Sequence, residues 1–500
     1  MRESLDGSVR ESLDGSVREL LDGSVRDLAA AVNGGAVDPA EIVRAAAARI
    51  EALDPGIGAV VRLDPDRALR RLRAGRRVTG PLAGLPYLVK DLHAEVDGLP
   101  LARGSRLFAG LDPAGTSTMV ARLEAAGALV IGRTSSPEFG LNITTEPVLY
   151  GPTRNPWNRQ RSPGGSSGGA AAAVAAGMVP AAHASDSGGS IRIPAAWCGL
   201  VGFKPTRGRN PAGPYRVDDW SGLSHEHAIT RTVADSALLL SVTSGPAIGE
   251  PYPAPADHTR PRPSTIGVLV DTPSGDPVAP AYLLAVRECA AALAALGHRV
   301  VPLPAVEAAG RIGPVLGAVI AGHLAATVDD LARTTGRQAG PDTVEPAVLD
   351  LIERGRRADA TSQVRATLEL RRLAGELAGA LATVDLVLSP TTARPAPPLG
   401  TLHTDRTATE LFREIFTISP FVGMFNVTGG PALSLPWGLD DDAMPIGLQL
   451  AGHPGCDQLV LEVAAALEEA QPDRVRLRRD GRRGDDGAGV RPAVDPLDAR

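Results

Sequence analysis

Apolar residues first recur at helical spacing. Ile42, Val43, Ala46 and Ile50 share one face of residues 40–52, which open after Asp38-Pro39, a cap followed by a first-turn proline. Downstream the period changes. Residues 86–92, Pro-Tyr-Leu-Val-Lys-Asp-Leu, form a continuous apolar run ending in charge, the pattern of a short buried strand, and 119–126 followed by 128–131 reads as helix then strand. The alternation returns with strands at 264–270 and 298–303 around a helix at 279–296, and with further strands at 384–389 and 431–436. Helices are predicted across 315–332 and 345–383. Strands drawn from the whole length favour one large α/β domain over several small ones.

Both ends depart from this pattern. Arg-Glu-Ser-Leu-Asp-Gly-Ser-Val fills residues 2–9 and 10–17, and Arg-Glu-Leu-Leu-Asp-Gly-Ser-Val follows at 18–25. A period of eight fits neither a heptad nor a solenoid, and the repeated glycine weakens a helix, so residues 1–27 are expected to be a disordered arm. The last residues, 473–500, are charged and rich in Gly and Pro, and are expected to be a disordered tail. The domain proper is therefore expected over 28–472.

Composition narrows the function. A net charge of −6 argues against binding nucleic acid by phosphate neutralisation, so a small-molecule partner is the better expectation. Cys198, Cys289 and Cys456 lie far apart without ligand spacing, which speaks against a disulfide framework or a zinc site and for a reducing cytoplasm. The run at 170–182 is broken by Gly177 and Pro180, and no membrane span is expected.

The chemistry concentrates in residues 164–202, where Ser166 and Ser190 each stand in a glycine-dense turn on either side of an alanine-rich segment. Glycine clusters are commonly plain turns, but a helix-forming run directly after GGSSGG points backbone N–H groups outward, and Asp186-Ser-Gly-Gly-Ser190 repeats the device. A strand also delivers Lys90 to its end, where burial could desolvate it. A phosphate cradle is disfavoured, since the lysine of G-x-x-x-x-G-K-[ST] is missing. A nucleophile elbow is a closer rival. Ser166 and Ser167 both formally match G-x-S-x-G, yet loop-like sequence with Pro156 and Pro163 precedes them where a strand is required. Its late histidine would have to be His403 or His453, and His453 in Gly-His-Pro-Gly reads as a surface turn residue. His183 reads as structural or pocket-lining.

The run Ser162-Pro-Gly-Gly-Ser-Ser-Gly-Gly169, Asp186-Ser-Gly-Gly-Ser-Ile-Arg-Ile-Pro-Ala195 and Cys198-Gly-Leu-Val-Gly-Phe-Lys-Pro-Thr-Arg-Gly208 resembles the amidase signature family. The likeness extends to residues 84–91, 153–157, 425–436 and 444–449, roughly 28 to 470 in all. It implies a mixed, mostly buried central sheet covered by helices on both faces, and amide hydrolysis through an acyl-enzyme. Ser190 would be the nucleophile, Ser166 a bridging serine on a cis peptide, and Lys90 the base. A lysine can take the proton only if neutral, and lowering its pKa toward 7–8 costs roughly 3–5 kcal/mol, within reach of burial. The N–H groups of Ser187, Gly188, Gly189 and Ser190 would form an oxyanion hole. Asp186 and Arg192 would brace the turn as an ion pair, with Ser167 a further supporting residue.

No metal or cofactor is expected, nor a nucleic-acid or membrane partner; the partner is a small amide, and a homodimer is left open. Two departures from the family pattern, Ser185 and Ser187 where threonine is common and Ala170 where serine is common, leave the triad untouched. Segments such as 183–186, 144–147 and 155–157 look closest to bacterial amidases acting on small or linear amides, including hydrolases of cyclic nylon dimers. A glutamine-hydrolysing amidotransferase subunit acting on charged tRNA is the alternative within the family.

Overall fold

The computed structural model describes residues 17–75, 78–215, 220–247, 252, 254–257 and 263–477. Among the described residues, eleven strands form one sheet: β1 (Val60–Leu63), β2 (Pro86–Lys90), β3 (Leu129–Thr134), β4 (Ala181–Asp186), β5 (Val201–Lys204), β6 (His225–Thr230), β7 (Thr265–Val268), β8 (Arg299–Pro302), β9 (Leu386–Pro390), β10 (Ala432–Leu439) and β11 (Pro445–Gly452). Their order is β1-β3-β2-β4-β6-β5-β10-β11-β9-β7-β8. The sheet is mixed. β2 runs parallel to β3 and β4, and β7 parallel to β8 and β9, while β4, β6, β5, β10, β11 and β9 pair antiparallel in turn.

Both faces are covered, as expected. Around the first strands, Leu88, Ile131, Ala182 and Ala184 pack on one side with the alanine helix Gly168–Ala175, while Tyr87, Val89, Val130, Ala181 and Ala228 pack on the other. Burial on both faces explains why β2 reads as an unbroken apolar run rather than an alternating one. The larger core lies over the remaining strands and takes in helices Pro280–Ala295, Ile312–Thr335, Ala360–Leu381 and Asp457–Ala470.

Three boundaries differ from the sequence reading. Residues 17–27, assigned to a disordered arm, are largely helical: 17–22 form one helix and Val25–Asn33 the next, with Ser24 capping the second. Val17, Leu21, Val25 and Leu28 are buried, so the octapeptide places an apolar residue about once per helical turn, a stripe a repeat-based reading overlooks. Arg231 holds the Leu21 and Gly23 carbonyls, and Asp235 accepts the Val25 N–H at 2.9 Å. The first copy and most of the second lie outside the described residues.

At the other end Val475 is buried, which carries the ordered chain past 472, and 478–500 lie outside the described residues. The single helix expected over 345–383 is two, Pro346–Arg357 and Ala360–Leu381, because Ala358 turns extended and Asp359 caps the second through the Ser362 N–H.

Among the described residues one helical stretch, Glu307–Thr335, is long and apolar enough to cross a membrane by length and composition. Its apolar face, including Ile312, Leu316, Val319 and Val328, is part of the core.

Candidate active site

Parallel strands end side by side, and here β2 and β4 deliver Lys90 and Asp186 to one edge of the sheet. Two loops meet them: residues 162–167, leading into the alanine helix, and 187–191, leading into the helix Arg192–Cys198. The Ser167 N–H donates to the Ser190 carbonyl at 3.2 Å, which ties the loops together. The Ser167 hydroxyl donates to the Ser185 carbonyl at 3.1 Å and accepts the Ser185 N–H at 3.3 Å, so this residue fastens the loop to β4.

Lys90 is completely buried. Its Nζ donates to Ser166 Oγ at 2.7 Å and to Ser185 Oγ at 3.0 Å. Burial lowers its pKa to about 7, against the opposing pull of Asp186 and Glu226, which favour the charged amine. The Gly165–Ser166 peptide is cis. Gly140 packs against Ser166: with φ +74°, it leaves no room for a Cβ, which would lie 3.1 Å from Ser166 Oγ and 2.6 Å from Leu92 Cδ2.

Ser190 is half-buried, and among the described residues nothing hydrogen-bonds its hydroxyl. Its turn is held from below. Asp186 Oδ1 accepts the Gly189 N–H at 2.7 Å and Oδ2 accepts the Ile191 N–H at 3.1 Å, while Arg192 pairs with both oxygens at 2.9 Å. Arg192 also reaches Val422 O, Gln449 Oε1 and Asn426 Oδ1 at 2.6–2.8 Å, and Asn426 Nδ2 returns to Asp186 Oδ1 at 2.8 Å. Burial alone would raise the Asp186 pKa. The Arg192 charge and its hydrogen bonds, with Asn426 and Lys204, overcome that and hold the carboxyl well below the usual carboxylate range.

This changes the expected set of oxyanion donors. The Gly189 N–H is committed to Asp186, which leaves the N–H groups of Ser187, Gly188 and Ser190 without a partner among the described residues. Gly189 is needed for shape instead: at φ +123°, an added Cβ would meet Val422 Cγ2 at 2.7 Å.

The elbow reading fails on geometry. Residues 162–165 are not a strand, His403 is exposed, and His453 Nε2 bonds the Val384 carbonyl at 2.8 Å, away from the serine loops. His183 is fully buried beside Lys90, with its Nε2 2.9 Å from Glu226 Oε2. A second buried lysine, Lys204, meets a carbonyl and not a serine: its Nζ donates to Pro205 O at 2.8 Å.

A cavity of about 880 Å³ lies between helices Ile312–Thr335, Ala360–Leu381 and Ala408–Ile418, lined by Gly313, Gly317, Phe412 and Phe416 among others. Its lining includes none of Ser166, Ser185, Ser190 and Lys90. The same long helix turns Leu316 toward the Ser190 loop, where a Cβ on Gly188 would lie 3.9 Å from Leu316 Cδ2.

Sequence reasoning missed Ser185 as a partner of Lys90, the His183–Glu226 pair, and Asn426 and Gln449 as braces. The last two stand within the quoted stretches 425–436 and 444–449, so a signal was present without a role attached.

The chain belongs to the amidase family, which it matches over residues 41–461, and is an amide hydrolase. Its relatives include the 6-aminohexanoate-cyclic-dimer hydrolase of Paenarthrobacter ureafaciens, 36% identical over 466 residues, covering 88% of this chain and 93% of that protein. A solved structure of 6-aminohexanoate cyclic dimer hydrolase complexed with substrate matches with a TM-score of 0.82 at 35% identity, over 90% of this chain and 98% of that one. A bacterial aryl acylamidase of the amidase signature family matches with a TM-score of 0.77 at 28% identity, over 90% and 96%.

Proposed function

We propose that the protein cleaves the C–N bond of a small linear or cyclic carboxamide through an acyl-enzyme on Ser190, with Ser166 as relay and Lys90 as base. The observation that carries this reading is the 2.7 Å contact between a fully buried lysine amine and Ser166 Oγ. A neutral amine accepts the Ser166 proton as Ser166 takes the proton of Ser190, whose Oγ attacks the carbonyl carbon. Negative charge develops on the carbonyl oxygen and meets the N–H groups of Ser187, Gly188 and Ser190, each donor contributing about 3–4 kcal/mol by analogy with other such sites. As the C–N bond breaks, Ser166 returns a proton to the leaving nitrogen, drawing on protonated Lys90. Water then attacks the ester along the same relay and releases the acid. No step in this scheme calls on a metal or cofactor.

The relatives support starting from a cyclic or linear amide of an ω-amino acid, such as the 6-aminohexanoate cyclic dimer, as the first compound to assay. Three isolated, buried cysteines support a cytoplasmic setting. Labelling with a fluorophosphonate, with the adduct located by peptide mass spectrometry, tests the mechanism. Modification at Ser190, abolished in Ser190→Ala, is expected; pure folded protein that turns over amides but stays unlabelled at Ser190 sinks it.

A further inference from the structure

The pairing of β2 with β4 stops at Leu88–Ala182, two residues short of Lys90. Beyond that point a side chain replaces the strand: the Lys90 N–H donates to His183 Nδ1 at 3.4 Å, a long bond. An imidazole that accepts at Nδ1 carries its proton at Nε2, and that nitrogen lies 2.9 Å from Glu226 Oε2 on β6. His183 and Glu226 are both buried. A carboxylate buried this deeply is costly unless it serves a partner.

We infer that the His183–Glu226 pair is a positioning unit for Lys90: the imidazole holds the lysine backbone at the end of β2 that β4 leaves unpaired, and Glu226 fixes the imidazole and brings a buried carboxylate into the surroundings of the lysine. The inference rests on Lys90 being the base. The unit opposes burial. With less anionic charge nearby the amine would be a weaker base; with it the amine stays basic enough to take the Ser166 proton and yet loses its charge near neutrality.

The groups facing Lys90 can be named strand by strand. From β3, Arg133 donates to the Lys90 carbonyl at 3.1 Å; β4 contributes His183, Ser185 and Asp186; β6 contributes Glu226; and the serine loop contributes Ser166. Asp91 follows on the same chain, engaged by the Ala102 and Gly104 N–H groups and by the Tyr150 hydroxyl. Two carboxylates, Asp186 and Glu226, act on the amine. Asp186 is already neutralised by Arg192, so Glu226 is the anion whose removal leaves the nucleophile turn intact.

The test is the pH profile of kcat/KM for Glu226→Gln, an isostere that can still accept from His183 Nε2. Loss of the anion is expected to move the acid limb to lower pH by about one unit, with a plateau lowered by less than about tenfold. A residue that only held the fold would lower the plateau and leave the limb in place, and that outcome overturns the inference. If Glu226→Gln does not fold, Glu226→Asp withdraws the charge by one methylene and carries the same test, with a shift of about half a unit in the same direction; an unmoved limb again overturns it. Lys90→Ala is measured alongside. Retained activity there removes the base reading itself, whereas an inactive Lys90→Ala beside an unmoved limb in the Glu226 variants removes the positioning unit alone.

Discussion

Lys90 and Arg192 are both buried cations at the same edge of the sheet, and their surroundings make them different instruments. Arg192 faces a carboxylate, two side-chain amide oxygens and a carbonyl, and every direction of its guanidinium is answered. Lys90 Nζ faces two hydroxyls, with carboxylates only at longer range. Full pairing turns one into scaffolding; partial pairing lets burial lower the pKa of the other to about 7, the condition that the proposed base requires. Desolvation by itself does not make a base useful. Lys204 is as buried as Lys90, and its pKa falls well below the usual lysine value through burial and the repulsion of Arg192, but its Nζ is spent on a carbonyl.

The sharpest break of this comparison is Lys90→Ala. Activity is expected to fall on the order of 10⁴-fold with little loss of stability, since the amine gives up a costly burial. Measuring kcat/KM beside thermal unfolding separates the two effects, and a variant that loses stability and activity in proportion contradicts the assignment. Arg192→Met should act through stability first. It strands the Asp186 carboxylate and is expected to cost about 3–5 kcal/mol of stability by denaturant titration, with inactivity following from the loosened Ser190 turn. An Arg192→Met protein of undiminished stability would show that the pair is dispensable scaffolding.

Smaller changes sharpen the contrast. Ser185→Ala removes one of the two hydroxyls that hold Lys90 Nζ and should lower kcat by about tenfold at nearly constant KM, whereas Ser185→Thr keeps the hydroxyl and most of the rate. In the unaltered protein, kcat/KM should rise with pH and level off above about 7, because Lys90 is the charged acid below that value and the neutral base above it. A profile flat from pH 5 to 8 would mean that no group with the pKa of Lys90 governs the reaction.

The sequence displayed the local half of this arrangement. Ser166, Ser190 and the glycines beside them declare themselves because a turn stripped of side chains is a pattern within a few residues, and Lys90 because charge at the end of an apolar run is unusual. Likeness to a family then assigned their roles. What stayed hidden depends on contacts across the sheet: Glu226 reaches His183 only because β6 lies beside β4, and Asn426 and Gln449 reach Arg192 across more than two hundred residues. The engagement of the Gly189 N–H stayed hidden for a related reason. Four consecutive N–H groups look alike in sequence, and only the position of the Asp186 carboxylate shows that Gly189 is already engaged. The amino-terminal repeat misled because its period was weighed as a repeat, when its Val and Leu residues form a stripe that the domain buries.

The brace beneath Ser190 also has a consequence for how the enzyme is born. Asp186 and Arg192 leave the ribosome early, but Val422, Asn426 and Gln449, which lock them, are made more than two hundred residues later. At roughly 5–20 residues per second, that leaves an interval on the order of tens of seconds. During it the nascent chain carries both serines and the lysine without the lock that holds the Ser190 turn. The brace is therefore complete only once the helix Gly423–Val427 and β11 reach the turn, and a chain cut before them would lack it.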